Sequence, residues 1–219
     1  MPLEIRVPKY TGNTTPGIKE LLQYSPAVPL ESVRPESSAL IPKVNVRLMH
    51  NDQEIFGVFF VDDHTLLAKK TEPQSPVHLD SCVEFFVMPQ GCDGYFNFEF
   101  NAIGTIHCTV KGVDSELKKD QRSIKLGPDE LSLIYTDTSC KEPILTELKG
   151  TLQWWLFFKI QKSLFTKFFP TLNHQKHKLW LGNFYKCGDE LSNPHWISWA
   201  PVDLLNFHTP YNFGSIVLE

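Results

Sequence analysis

The sequence predicts an all-β fold, an antiparallel β-sandwich of two sheets of immunoglobulin or jelly-roll type with one short helix. Three observations carry this expectation. Short runs rich in β-branched and aromatic residues recur along the chain with turn residues between them. Within them apolar and polar residues alternate with period two, most openly in GYFNFEFN at 94–101. Sixteen phenylalanines in 219 residues, 42% of which are hydrophobic, supply a core for one unit of this size.

Taken in order, residues 1–42 carry seven prolines and little periodicity, and read as an extended lead-in packed on the domain. The domain itself spans 43–219. VNVRLMH and EIFGVFFV flank Asn51-Asp52-Gln53 as a first hairpin; CVEFFVM and YFNFEFN flank PQGCDG as a second. TIHCTVK follows the Ile103-Gly104 break. Residues 112–149 are polar and read as long excursions between strands. LQWWLFFKI is apolar on both faces, as a strand covered on each side should be. SLFTKFF at 163–169 is the one helical segment, stopped by Pro170. KLWLGNFY and SIVL bring the total to about eight strands.

Parity assigns the faces of the second hairpin. Val83, Phe85 and Val87 share one with Phe96, Phe98 and Phe100, which leaves Glu84, Asn97, Glu99 and Asn101 on the other. Depending on register, Glu84 stands opposite Glu99 or Asn97. Three readings fit such a face. It is an ordinary solvated surface; or it binds sugar, since carboxylates and amides match vicinal hydroxyls; or Glu84 and Glu99 form the carboxyl pair of a glycosidase. Trp196 and Trp199, in a loop rich in glycine, asparagine and proline, are either the edge of the core or stacking platforms for a pyranose ring.

Charge removes other classes. A net charge of −4 with no basic stripe excludes phosphate-backbone binding, hence nucleic acid. The densest lysines, Lys118 and Lys119 near Lys111 and Lys125, are interrupted by Asp114, Glu116 and Asp120 and read as a solvated loop. No apolar run approaches the ~20 residues of a membrane helix. The first residues contain no signal-like apolar core, and five cysteines form no CxxC pair, so free thiols and a cytoplasmic setting are expected; a periplasmic or secreted one requires a signal already removed. There is no GxSxG elbow and no phosphate-binding glycine loop. His174 and His177 have the spacing of a metal pair without a visible third ligand. Asp62-Asp63 is either a plain turn or a contribution to a calcium site.

DSCVEFFVMPQGCDGYFNFEFNAIGT, NFYKCGDELSNPHWISWAPV and the closing FHTPYNFGSIVLE resemble, in that order, the family-9 carbohydrate-binding modules, and more closely their free-standing bacterial branch typical of Bacteroidetes. The resemblance runs from about Val44 to Glu219. It implies a β-sandwich with structural calcium and a non-catalytic function in polysaccharide breakdown, in which a terminal sugar lies between two tryptophans. Carried onto this chain, it assigns Glu84, Asn97, Asn101 and Trp199 to the sugar, flanked by His78 and Trp196. His78 stands where the sugar-binding modules have a tryptophan, six residues before Glu84. A glycoside hydrolase using Glu84 and Glu99, and a sandwich scaffold for protein contacts, are the alternatives.

Overall fold

The computed structural model describes residues 3–112 and 123–219, so Lys118, Lys119 and the acids between them lie outside the described residues. The elements are β1 (Glu4–Val7), α1 (Ile18–Tyr24), β2 (Val28–Leu30), β3 (Ser32–Val33), β4 (Lys43–His50), β5 (Glu54–Ala68), β6 (Cys82–Met88), β7 (Gly94–Asn101) and β8 (Ile106–Gly112). There follow β9 (Ser123–Lys125), α2 (Pro128–Leu131), β10 (Ile134–Thr138), β11 (Ile144–Gln161), α3 (Lys162–Phe168), β12 (Leu179–Cys187), β13 (Trp196–Ser198) and β14 (Gly214–Leu218).

Two sheets face each other. The larger runs β1-β14-β12-β6-β7-β8-β9, with β13 paired to β12 and β3 to β13; the smaller runs β10-β11-β5-β4-β2. The pairing is antiparallel except at β1, which lies parallel to β14. Both predicted hairpins form. Asn51 turns the first by accepting the Gln53 and Glu54 N–H groups on Oδ1, at 2.8 and 2.7 Å. The second pairs Val87 with Phe96 and therefore Glu84 with Glu99, which decides the open register.

The core between the sheets follows parity. Val83, Phe85, Val87, Phe96, Phe98 and Phe100 are all buried in it, beside Phe184 of the same sheet and Phe59, Trp154, Leu156 and Phe158 from the facing strands. Phe85 stacks on Phe184 and Phe158 with centroids 5.2 and 5.8 Å apart. Helix α3 caps one end by setting Phe165 edge-on to Phe96 at 5.0 Å.

The lead-in departs from expectation. It supplies β1 to one sheet and β2 to the other, while β3 extends the larger sheet beyond β13. Between Pro16 and Pro26 lies α1, whose first turn is closed by Glu20 accepting the Gly17 N–H at 2.8 Å. Its Leu21 is fully buried against Met49, Phe56, Val58 and Phe157. This is why β11 is apolar on both faces: one faces the core, and the other lies beneath α1. The polar stretch after 122 likewise holds β9, α2 and β10 rather than irregular chain alone.

Candidate functional site

The outer face of the larger sheet carries the polar residues, and its registers arrange them in rows. Tyr185, Glu84, Glu99 and His107 lie side by side across β12, β6, β7 and β8. Phe86, Asn97, Thr109 and Lys125 form the row on one side; Trp196, Cys187, Cys82 and Asn101 form that on the other. Over this floor opens a cleft of about 500 Å³. Its walls are His78 on a 3-10 turn at Val77–Leu79, Asp189 after β12, Trp196 on β13 and the loop carrying Leu205, Asn206, Phe207 and His208.

The floor is tightly bonded. The Asn97 amide donates to Glu99 Oε1 at 2.7 Å, and its Oδ1 accepts the Thr109 N–H at 2.8 Å and the Thr109 hydroxyl. Glu99 Oε2 is 3.8 Å from His78 Nδ1, an ion-pair distance. The hydrogen-bonding and charge of Glu99 raise His78 above the usual imidazole range despite its partial burial. Glu84 is 3% exposed and accepts the Cys187 thiol proton at 3.2 Å. Burial, with Cys187 and Glu99 beside it, raises its carboxyl well above the ordinary glutamate range. Like charges directly opposite across two strands are destabilising, and a proton held on Glu84 removes that repulsion.

Trp196 is the aromatic wall, oriented by its indole N–H donating to Asp189 Oδ1 at 2.8 Å. Phe207 forms another, stacked on Tyr185 at 4.1 Å and 13°. The Tyr185 hydroxyl donates to the Phe207 carbonyl at 3.1 Å and holds that loop down. At the far end Lys111 Nζ lies 3.1 Å from His208 Nε2, whose other nitrogen lies 3.1 Å from the Tyr95 hydroxyl.

His78, Glu84, Asn97 and Trp196 thus meet in one cleft, with Glu99 among them. Two of the expected site residues do not. Trp199 is 7% exposed and sits in the main core, 5.7 Å from the Phe184 ring and over Gly214, where a Cβ would come within 2.5 Å of the indole. Alternation along β13 is the reason: Trp196 faces the cleft, so Ile197 and Trp199 face the core. Asn101 is fully buried outside the cleft. Its amide donates to the Lys70 carbonyl and to Asp80 Oδ2 at 2.8 and 2.9 Å, and its oxygen accepts the Thr105 N–H at 2.9 Å, fastening a turn. Asp189, Phe207 and His208 were missed. They lie in loops, where no periodicity assigns a face.

The calcium implied by the family resemblance does not fit Asp62-Asp63. Successive strand residues point to opposite sides: Asp62 is exposed and bonded to Gln153, whereas Asp63 is 1% exposed and 3.2 Å from the ammonium of Lys186. His174 and His177 each spend a ring nitrogen on backbone, at 3.0 Å from the Lys162 carbonyl and 3.3 Å from the Asn173 N–H. No third ligand joins them among the described residues.

The chain is similar to known proteins at the level of both family and fold. The crystal structure of a "putative carbohydrate-binding protein" from Bacteroides uniformis is 30% identical, with each chain covered completely and a TM-score of 0.88. A carbohydrate-binding module of family 9 from Caldicellulosiruptor kristjanssonii has been solved with glucose and with cellotriose. Both structures are 13% identical to this chain, with TM-scores of 0.63 and 0.61. They cover 99% of it and are themselves covered over 96% and 94%, and they share its fold. No curated protein matches the chain. The family model described as carbohydrate-binding family 9 matches residues 19–218, and the chain belongs to that family.

Proposed function

We propose that the cleft binds a short saccharide without cleaving it. The observation that carries this reading is the convergence of a hydrogen-bonded carboxyl–amide floor with an indole wall. A pyranose presents an apolar C–H face and a rim of hydroxyls. Trp196, fixed by Asp189, offers the ring for the former. Glu99, Asp189 and His78 offer acceptors and a donor for the latter. Glucose and cellotriose, bound by family members from Caldicellulosiruptor, are the first ligands to test.

The same geometry speaks against a glycosidase. Catalytic carboxyls must flank the glycosidic bond, and in retaining enzymes they stand about 5–5.5 Å apart. Glu84 and Glu99 are cross-strand neighbours on one sheet face, so both approach a ligand from the same side. A glycan array followed by calorimetry on the best ligand tests the proposal. Trp196→Ala should weaken affinity by roughly tenfold, the loss of about 1.4 kcal/mol of stacking. Absence of binding to every glycan, or hydrolysis abolished by Glu84→Gln, would overturn it.

A further inference from the structure

In the floor of the cleft, three groups are gathered that the proposed sugar contacts do not use. Cys82 and Cys187 are directly opposed on β6 and β12, and Glu84 lies on the same face two residues along from Cys82. The two sulfurs and a Glu84 oxygen all lie within 4.8 Å of one another, and each residue is buried. We propose that Cys82, Cys187 and Glu84 form a binding site for a zinc-class divalent ion, with its fourth position open to the cleft.

The donor set and the spacing carry this. Zinc takes thiolates at about 2.3 Å and carboxylate oxygens at about 2.0–2.2 Å in tetrahedral geometry, which puts neighbouring donors roughly 3.5–3.8 Å apart. With all three donors within 4.8 Å of one another, and Cys187 Sγ 3.2 Å from Glu84 Oε1, seating the ion takes a contraction of at most about 1 Å. Two soft sulfurs and one oxygen suit zinc or cobalt better than calcium, which takes oxygen ligands. The surroundings are those of a closed site on one side: Val77 packs with both cysteines, and Trp196 and Phe207 pack against them. Glu84 and Cys187 also line the cleft, so water or a ligand hydroxyl reaches the ion only from there.

Ion-free, the cluster holds its protons. Burial drives the Cys82 thiol to about 12, and the hydrogen bond with Cys82, then burial, raises the Cys187 thiol well above the usual range. Metal entry must therefore displace two thiol protons and one carboxyl proton to solvent, leaving the ion with two thiolates and one carboxylate, a centre of net charge −1. No oxidant or reductant takes part. The site does not depend on the sugar reading, since the ion alone is the probe.

Reduced, metal-free, full-length protein should be titrated anaerobically with Co2+ and then Zn2+. Expected are a near-ultraviolet sulfur-to-cobalt charge-transfer band with the intensity of two thiolates, its loss on zinc addition, and release of protons as the ion enters. Zinc should also slow alkylation of Cys82 and Cys187 at least tenfold in the unmodified chain, a readout that needs no variant. Cys187→Ser should halve the band, Glu84→Gln should keep it while weakening affinity about tenfold, and Cys92→Ser should change nothing. No band from folded protein, a band that survives Cys82→Ser with Cys187→Ser, or a Cys82–Cys187 disulfide that forms in preference to metal binding would each overturn the proposal.

Discussion

Single side chains separate what alternation reveals from what it hides. Parity placed Glu84, Asn97 and Glu99 on one face because they lie in two regular strands. It could not choose between Trp196 and Trp199 until the start of β13 was known. The outcome is testable: Trp199→Ala should cost about 3–5 kcal/mol of stability, as for a buried indole. Trp196→Ala, partly exposed at the cleft wall, should cost far less while weakening sugar binding. Urea denaturation of both variants beside calorimetry checks the exchange of roles. His78 yields a second expectation. Its folded pKa is raised by Glu99, so the stability it contributes is fully present below the unfolded value of about 6.5 and lost as pH rises through the raised value. The stability difference between the unmodified protein and His78→Gln should therefore shrink between pH 6 and pH 8.5. A difference that grows over this range would show that Glu99 does not hold the imidazolium.

Elements were legible where both of their faces had partners in sequence. The two hairpins declare themselves through their turns, and the apolar runs of β11 and β12 through length and composition. The lead-in did not, because seven residues of helix between prolines give too short a period to read. Strands of four, three and two residues carry almost no alternation. Their identity comes from tertiary pairing: β1 exists because β14 offers an edge, and β2 because β4 does. The helix matters more than its length suggests. Without α1, Met49, Phe56 and Val58 on the outer face of the smaller sheet would meet water. Leu21→Ala should accordingly cost about 2–5 kcal/mol, the range for a buried leucine, measured as a shift of the urea midpoint at unchanged slope. A chain lacking residues 1–42 should lose its cooperative transition altogether. Retention of a native-like transition would return the lead-in to the passive role first expected of it.

At the scale of the molecule, the two sheets are joined by phenylalanines and, among the described residues, by a buried lysine. Lys186, fully buried on β12, reaches Asp63 of β5 at 3.2 Å, His195 Nε2 at 2.6 Å and the Cys187 carbonyl at 3.0 Å. It hydrogen-bonds the latter two and pairs with the Asp63 carboxylate by charge. His195 Nδ1 lies 2.9 Å from the Asn193 carbonyl and donates to it, which leaves Nε2 as the acceptor, so the link needs a neutral imidazole. Nothing local in the sequence marks it, since a lysine in an alternating strand reads as solvent-facing. It has a consequence for acid stability. Burial, then Lys186, lowers His195 to about 3; burial, then Lys162, lowers His50 to about 4. Below about pH 6.5 the unfolded chain binds two protons that these folded imidazoles refuse, so stability falls as pH falls. Glu84 opposes them: its raised folded value means that the native state holds a proton which an unfolded glutamate releases above about pH 4.5. Burial lowers His208 to about 4 as well, so several imidazoles outweigh the one carboxyl and stability falls as pH drops from 6 to 5. Glu84→Gln removes the opposing group, so the loss should steepen by up to roughly 1.4 kcal/mol per pH unit, read from urea midpoints at half-unit steps. An unchanged slope in Glu84→Gln would mean that Glu84 carries no extra proton in the folded state, and the neutral floor of the cleft would have to be abandoned.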